Sequence, residues 1–103
     1  MKLILKLWCA IACMAVFGAM AQTFPSRPVR LVVPFPPGAA TDTLGRLVAQ
    51  KLQESWGQSV VVDNKPGAGS IVGAETVAKA PADGHTLFMG HIGTHGANPA
   101  LYA

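Results

Sequence analysis

Apolar and polar positions along this chain repeat one pattern three times, and the pattern predicts strands alternating with helices. Residues 29–34, Val-Arg-Leu-Val-Val-Pro, are apolar or β-branched at five positions in six, the run expected of a strand buried on both faces. From Thr41 the period becomes helical: Leu44, Leu47, Val48, Leu52 and Trp56 form one apolar stripe expected to face the core, and Gly57 stands where a C-terminal cap belongs. Residues 59–63, with three successive valines, predict a second short strand. Ser70 is placed to cap a helix reaching about Lys79, and residues 85–89 predict a third strand. Loops carrying glycine follow each strand, the last covering residues 90–96. Pro25 and Pro28 exclude helix from the lead-in.

This alternation argues for an α/β fold of right-handed βαβ units with a parallel sheet. Ligands of such sheets bind beyond the carboxyl ends of the strands, so the three glycine-bearing loops are expected to converge on one cleft. In the first loop the amides between Pro37 and Asp42 crowd at the positive end of a helix, which favours an anion. Asp42 itself reads as a first-turn carboxylate that suits the helix dipole.

The first 21 residues differ in character. Lys2 and Lys6 precede an apolar run over residues 7–17, and Ala19-Met20-Ala21 has the small-x-small form of a signal peptidase site. The expectation is a signal peptide over residues 1–21, cleavage after Ala21, a periplasmic product and no stable membrane insertion afterwards. A transmembrane anchor would need roughly 20 apolar residues, more than the run supplies. A lipoprotein reading would lipidate Cys13, yet the residues after it are still apolar. Cys9 and Cys13 both lie in this leader, so residues 22–103 contain no cysteine and form no disulfide.

Removing the leader also removes most of the charge. The formal net charge is +3, but without Lys2 and Lys6 six basic residues face five acidic ones. Arg27, Arg30, Arg46, Lys51, Lys65 and Lys79 are scattered and read as solvated surface, which gives no support to a nucleic-acid partner. Motifs for catalysis and cofactors fail on spacing. After Gly67 and Gly69 a dinucleotide fingerprint needs glycine at position 72, which is Val72, and no glycine precedes a Lys-Ser/Thr pair. His91 and His95 are four apart, but Gly93 lies between them and the glutamate of a helical zinc motif is missing. Ser26, Ser55, Ser59 and Ser70 sit in no nucleophile turn. The expectation is a protein without catalytic residues, metal or cofactor.

Several linked segments resemble one family. Pro34-Phe35-Pro36-Pro37-Gly38-Ala39-Ala40-Thr41-Asp42, then Val61-Val62-Asp63-Asn64-Lys65-Pro66-Gly67-Ala68-Gly69, then Val77-Ala78-Lys79-Ala80, Asp83-Gly84-His85-Thr86-Leu87 and Gly93-Thr94-His95 before Asn98-Pro99 are similar to the Bug family. Its members are extracytoplasmic solute receptors of tripartite tricarboxylate transporters. The resemblance runs in one register from about Pro25 to the last residue. It implies a type II periplasmic-binding-protein-like fold, with residues 22–103 as the βαβαβ start of lobe 1, truncated, and the second lobe absent. It also implies a small carboxylated solute as ligand and the membrane components of the transporter as partners. Carried over by position, the ligand-binding residues are Phe35, Pro37, Gly38, Ala39, Ala40, Thr41 and Asp42, with Gly67, Gly69, Gly93, Thr94 and His95 lining the same side of the cleft. Ala39 departs from the pattern, since many relatives have a second glycine there, which puts the loop's conformation in question. His85, often tyrosine in relatives, is expected to matter less. Two other classes stay open: an exported enzyme, which would need a titratable pair in the cleft, and a truncated, non-binding gene product or interaction protein.

Overall fold

The computed structural model describes residues 1–16 and 23–101. Helix α1 (Lys2–Val16) covers the described part of the leader, with Leu3, Leu7, Trp8 and Ile11 exposed along it. The expected cleavage after Ala21 lies outside the described residues. Among those described, no helix is long and apolar enough to cross a membrane.

The body follows as β1 (Val29–Val33), α2 (Ala40–Trp56), β2 (Val60–Asn64), α3 (Ile71–Ala78), β3 (Thr86–Phe88) and α4 (Asn98–Leu101). The three strands are parallel in the order β2-β1-β3, with Leu31 in register with Val62 and Leu87. Two right-handed crossovers that run in opposite directions put their helices on opposite faces. The side-chain contacts agree: Gly45 of α2 lies against Val33 and Leu31, whereas Gly73 of α3 lies against Pro34. Central β1 is therefore covered on both sides, and Val29, Leu31, Val32 and Val33 are all buried. That is why this strand reads as a nearly unbroken apolar run. Arg30, its one charged residue, donates from Nε to Asp63 of β2 at 2.6 Å.

Two expectations change. The apolar stripe of α2 faces the core only in part: Leu52 and Trp56 pack against it, but Leu44 and Leu47 are 59% and 53% exposed and Val48 is exposed too. The buried face is made of Asp42, Gly45 and Ala49, continued by half-buried Leu52 and Trp56. The reason is the closeness of helix and sheet. A Cβ built on Gly45 would stand 2.9 Å from Val33 Cγ2, so only small residues fit where the helix crosses β1. The segment read as a glycine-rich loop over residues 90–96 is also partly ordered, winding into a π-helical turn at Gly93–Ala97 that runs on into α4.

Candidate functional site

The loop after β1 is shaped by one glycine and one carboxylate. Gly38 takes φ +90, which glycine alone adopts easily, and the helix starts two residues later at Ala40. Ala39 has φ −67 and ψ 160, an extended conformation open to any residue, so alanine there is no obstacle to the loop.

Asp42 is more than a first-turn charge. It is only 2% exposed, and its carboxylate accepts from the Gly38 amide at 3.0 Å, from Arg46 Nε at 2.9 Å and from Asn64 Nδ2 at 2.8 Å. Asn64 Nδ2 also lies 2.9 Å from the Phe35 carbonyl, and Arg46 Nη2 donates to Asn64 Oδ1. One carboxylate thus ties the first loop, α2 and the end of β2 together. The Asn64 bond first, then those from Gly38 and Arg46, lower the Asp42 carboxyl from 3.8 to about 2, outweighing burial, which raises it. Arg46, read from sequence as solvated surface, belongs to this network.

The network decides which amides remain for a ligand. Gly38 gives its amide to Asp42, and Pro37 has none. Among the described residues no acceptor takes the amides of Ala40, Thr41 and Asp42, the first turn of a 17-residue helix. They point from the positive end of the helix dipole at the carboxyl end of the sheet, where anions are favoured. Strand order also reverses on either side of β1, which opens a crevice at this end.

The other two loops meet the first. The Phe35 and His91 rings lie with centroids 4.7 Å apart, and His91 Nε2 is 3.2 Å from Ser70 Oγ. Asn98 Nδ2 donates to the Gly69 carbonyl at 2.7 Å. The loops therefore meet among the described residues, through Phe35, which the sequence placed in the site, and through Ser70, His91 and Asn98, which it did not. Gly67 and Gly69 hold the turn with φ +127 and +62, but Gly93 gives its amide to His91 Nδ1 at 2.9 Å. Thr94 Oγ1 bonds the His91 amide and carbonyl inside its own loop, and His95 lies exposed, 2.7 Å from Thr94 Oγ1 and against Phe88. Ser70 makes no side-chain cap for α3; its hydroxyl goes to His91. Position marked Ser70 only as a helix cap and His91 only as a neighbour of His95, because their roles here, like that of Asn64, arise only when the loops are brought together.

A cavity of about 260 Å³, lined by Phe24, Arg27, Asp83 and His85 among others, lies at the opposite end of the sheet. Arg27 is paired with Asp83 there, and the amino ends of parallel strands are not where such folds gather ligands. Among the described residues no three His, Cys, Asp or Glu side chains gather as metal ligands would.

The family model described as "Tripartite tricarboxylate transporter family receptor" matches residues 44–103. The chain is 56% identical over 72 residues to the UPF0065 protein in the tcbD–tcbE intergenic region of Pseudomonas sp. strain P51, covering 70% of this chain and 21% of that one. Among solved structures it is similar to MatC from Rhodopseudomonas palustris with bound malate, at 48% identity and TM-score 0.73 over 78% of this chain and 27% of that one. It is also similar to the periplasmic binding protein BugD, at 43% identity and TM-score 0.61 over 63% and 22%. The chain thus spans about a fifth to a quarter of the relatives it matches.

Proposed function

Because the chain belongs to the tripartite tricarboxylate transporter receptor family, we propose that its β1–α2 loop holds a carboxylate of a small solute for delivery to the membrane components of such a transporter. The observation that carries this reading is the set of three amides at Ala40, Thr41 and Asp42, without an acceptor among the described residues, at the head of α2 and the carboxyl end of the sheet. A carboxylate accepting several such amides needs no cationic side chain, because charge-assisted bonds to amides are strong. Arg46 stays engaged with Asp42 and Asn64, so the loop meets an anion through its backbone. Phe35 gives the cleft an apolar wall, and the loops after β2 and β3 close its side. Malate bound to MatC is the kind of ligand this chemistry suits. The protein retains and releases its solute without changing it. The leader directs it to the periplasm.

Calorimetry of the purified protein with malate, citrate, glutamate and benzoate tests the reading. Binding of at least one is expected, and Gly38→Val is expected to abolish it. A Cβ at Gly38 meets nothing within 4 Å, and a β-branched residue is strained at φ +90, so this substitution is expected to reshape the loop. Equal affinity in wild type and Gly38→Val would refute the site.

A further inference from the structure

Ser70 is 5% exposed and held at φ +75, a left-handed conformation costly for any residue with a Cβ. Glycine would fit there without strain, as it does at Gly67 and Gly69 on the same turn. Ala68 on the same turn also has positive φ, +47, so the strain belongs to the turn, and what serine adds at position 70 is its hydroxyl. It does not cap α3. Its neighbour is His91, whose ring chemistry is fixed by the next loop. The Gly93 amide can only donate, so Nδ1 of His91 accepts at 2.9 Å, and the neutral ring carries its proton on Nε2. Nε2–H therefore donates to Ser70 Oγ across 3.2 Å. Ser70 Oγ is left with its own proton to give, and among the described residues nothing accepts it. Phe35, from the loop that carries the free amides, has its ring against this same histidine. Gly93 is needed for the arrangement, since a Cβ there would crowd His91, with Nδ1 at 3.0 Å.

We propose that Ser70 is a ligand-binding residue of this cleft, its hydroxyl fixed by His91 as a hydrogen-bond donor toward the solute carboxylate. The chain of donors runs from the Gly93 amide through the imidazole to Ser70 and then to the anion; it joins the loops after β2 and β3, and the Phe35 ring against His91 brings in the first. His91 is a positioning residue in this scheme. The proposal rests on the carboxylate-binding reading above and adds a side-chain donor to the backbone ones.

Ser70→Gly separates the two possible roles. It removes the hydroxyl and relieves the left-handed strain, so the melting temperature is expected to stay level or rise. Affinity for whichever of malate, citrate, glutamate or benzoate binds is expected to fall about tenfold or more, the loss for one charge-assisted bond. His91→Phe keeps a ring against Phe35 and loses both nitrogens, so it is expected to weaken binding to a similar degree. His91→Gln, whose amide nitrogen can donate to Ser70, is expected to recover part of it. Imidazole nitrogen NMR of the wild type is expected to show the proton of neutral His91 on Nε2. Unchanged affinity in Ser70→Gly or His91→Phe, or a His91 proton on Nδ1, would overturn the proposal. If Gly38→Val stops binding while Ser70→Gly leaves it intact, the carboxylate site stands and Ser70's part in it falls. A wild type that binds none of the four overturns both.

Discussion

Gly73→Ala sets two effects of opposite sign against each other, and the structure says which wins. Gly73 is the third residue of α3, where alanine is normally better than glycine by about 0.5–1 kcal/mol. Against that, a Cβ at this position would lie 2.9 Å from Pro34 Cβ, 3.1 Å from the Lys65 carbonyl oxygen and 3.3 Å from Pro34 Cα. Two of these are backbone atoms and the third belongs to a fully buried proline ring, so none can turn away. Overpacking of this kind costs about 1–3 kcal/mol, which leaves a net loss of up to about 2.5 kcal/mol, and about 1 kcal/mol at mid-range, after the helix gain. For a domain of this size each kcal/mol is about 4–8 °C in melting temperature. Thermal unfolding followed by circular dichroism should therefore show a clear fall for Gly73→Ala. Gly45→Ala is the control: its one close neighbour is Val33 Cγ2, a side-chain methyl that can shift, so its loss should be smaller. A melting temperature for Gly73→Ala equal to or above the wild type would refute the claim that α3 rests on the backbone at the end of β1.

Two further substitutions probe the network and the faces of α2. The Asp42 carboxyl is held at about 2 against an ordinary 3.8, so the stability it contributes is fully present above about pH 4 and is lost as pH falls through 2. Urea midpoints measured from pH 5 to pH 2 should therefore fall less for Asp42→Asn than for the wild type; parallel curves would mean the carboxylate is not bonded as described. Leu47→Ala, on the exposed side of α2, should cost no more than about 0.5 kcal/mol in urea unfolding, whereas Leu31→Ala in the sheet should cost about 2–5 kcal/mol. Similar losses for both would return Leu47 to the core face.

The apolar stripe of α2 shows where sequence reading stops. The strands were legible because β1 is covered on both faces and β2 repeats three valines, and the helix bounds followed from Gly57 and the Pro/Gly loops to within a residue or two. Spacing also placed the glycine loops at the carboxyl ends of the strands. What spacing could not give was the facing of α2. Reading large residues as core assumes that helix and sheet are held apart by side chains. Here they are not, and Gly45 and Ala49 take the inner face while Leu44 and Leu47 are turned out. The site was legible to the same depth. The amides of residues 40–42 could be placed at a helix start from sequence, but that Gly38 gives its amide to Asp42, and Gly93 to His91, depends on distances between loops.

The placement of Asp42 bears on how an anion is received at all. A carboxylate buried in the first turn of α2 would repel a second carboxylate at the head of the same helix if its charge were unspent. It is instead met from three directions, by Gly38, Arg46 and Asn64. Arg46 returns a positive charge, and Asn64 draws one carboxylate oxygen toward the end of β2. With its charge compensated there, the remaining first-turn amides still present a positive face. The same bonds hold the loop open before any solute arrives, so less ordering is left to be done on binding. Loss of Arg46 would leave Asp42 buried with one fewer donor and closer to bare repulsion. On the proposed carboxylate-binding reading, Arg46 therefore acts on affinity through its bonds to Asp42 and Asn64.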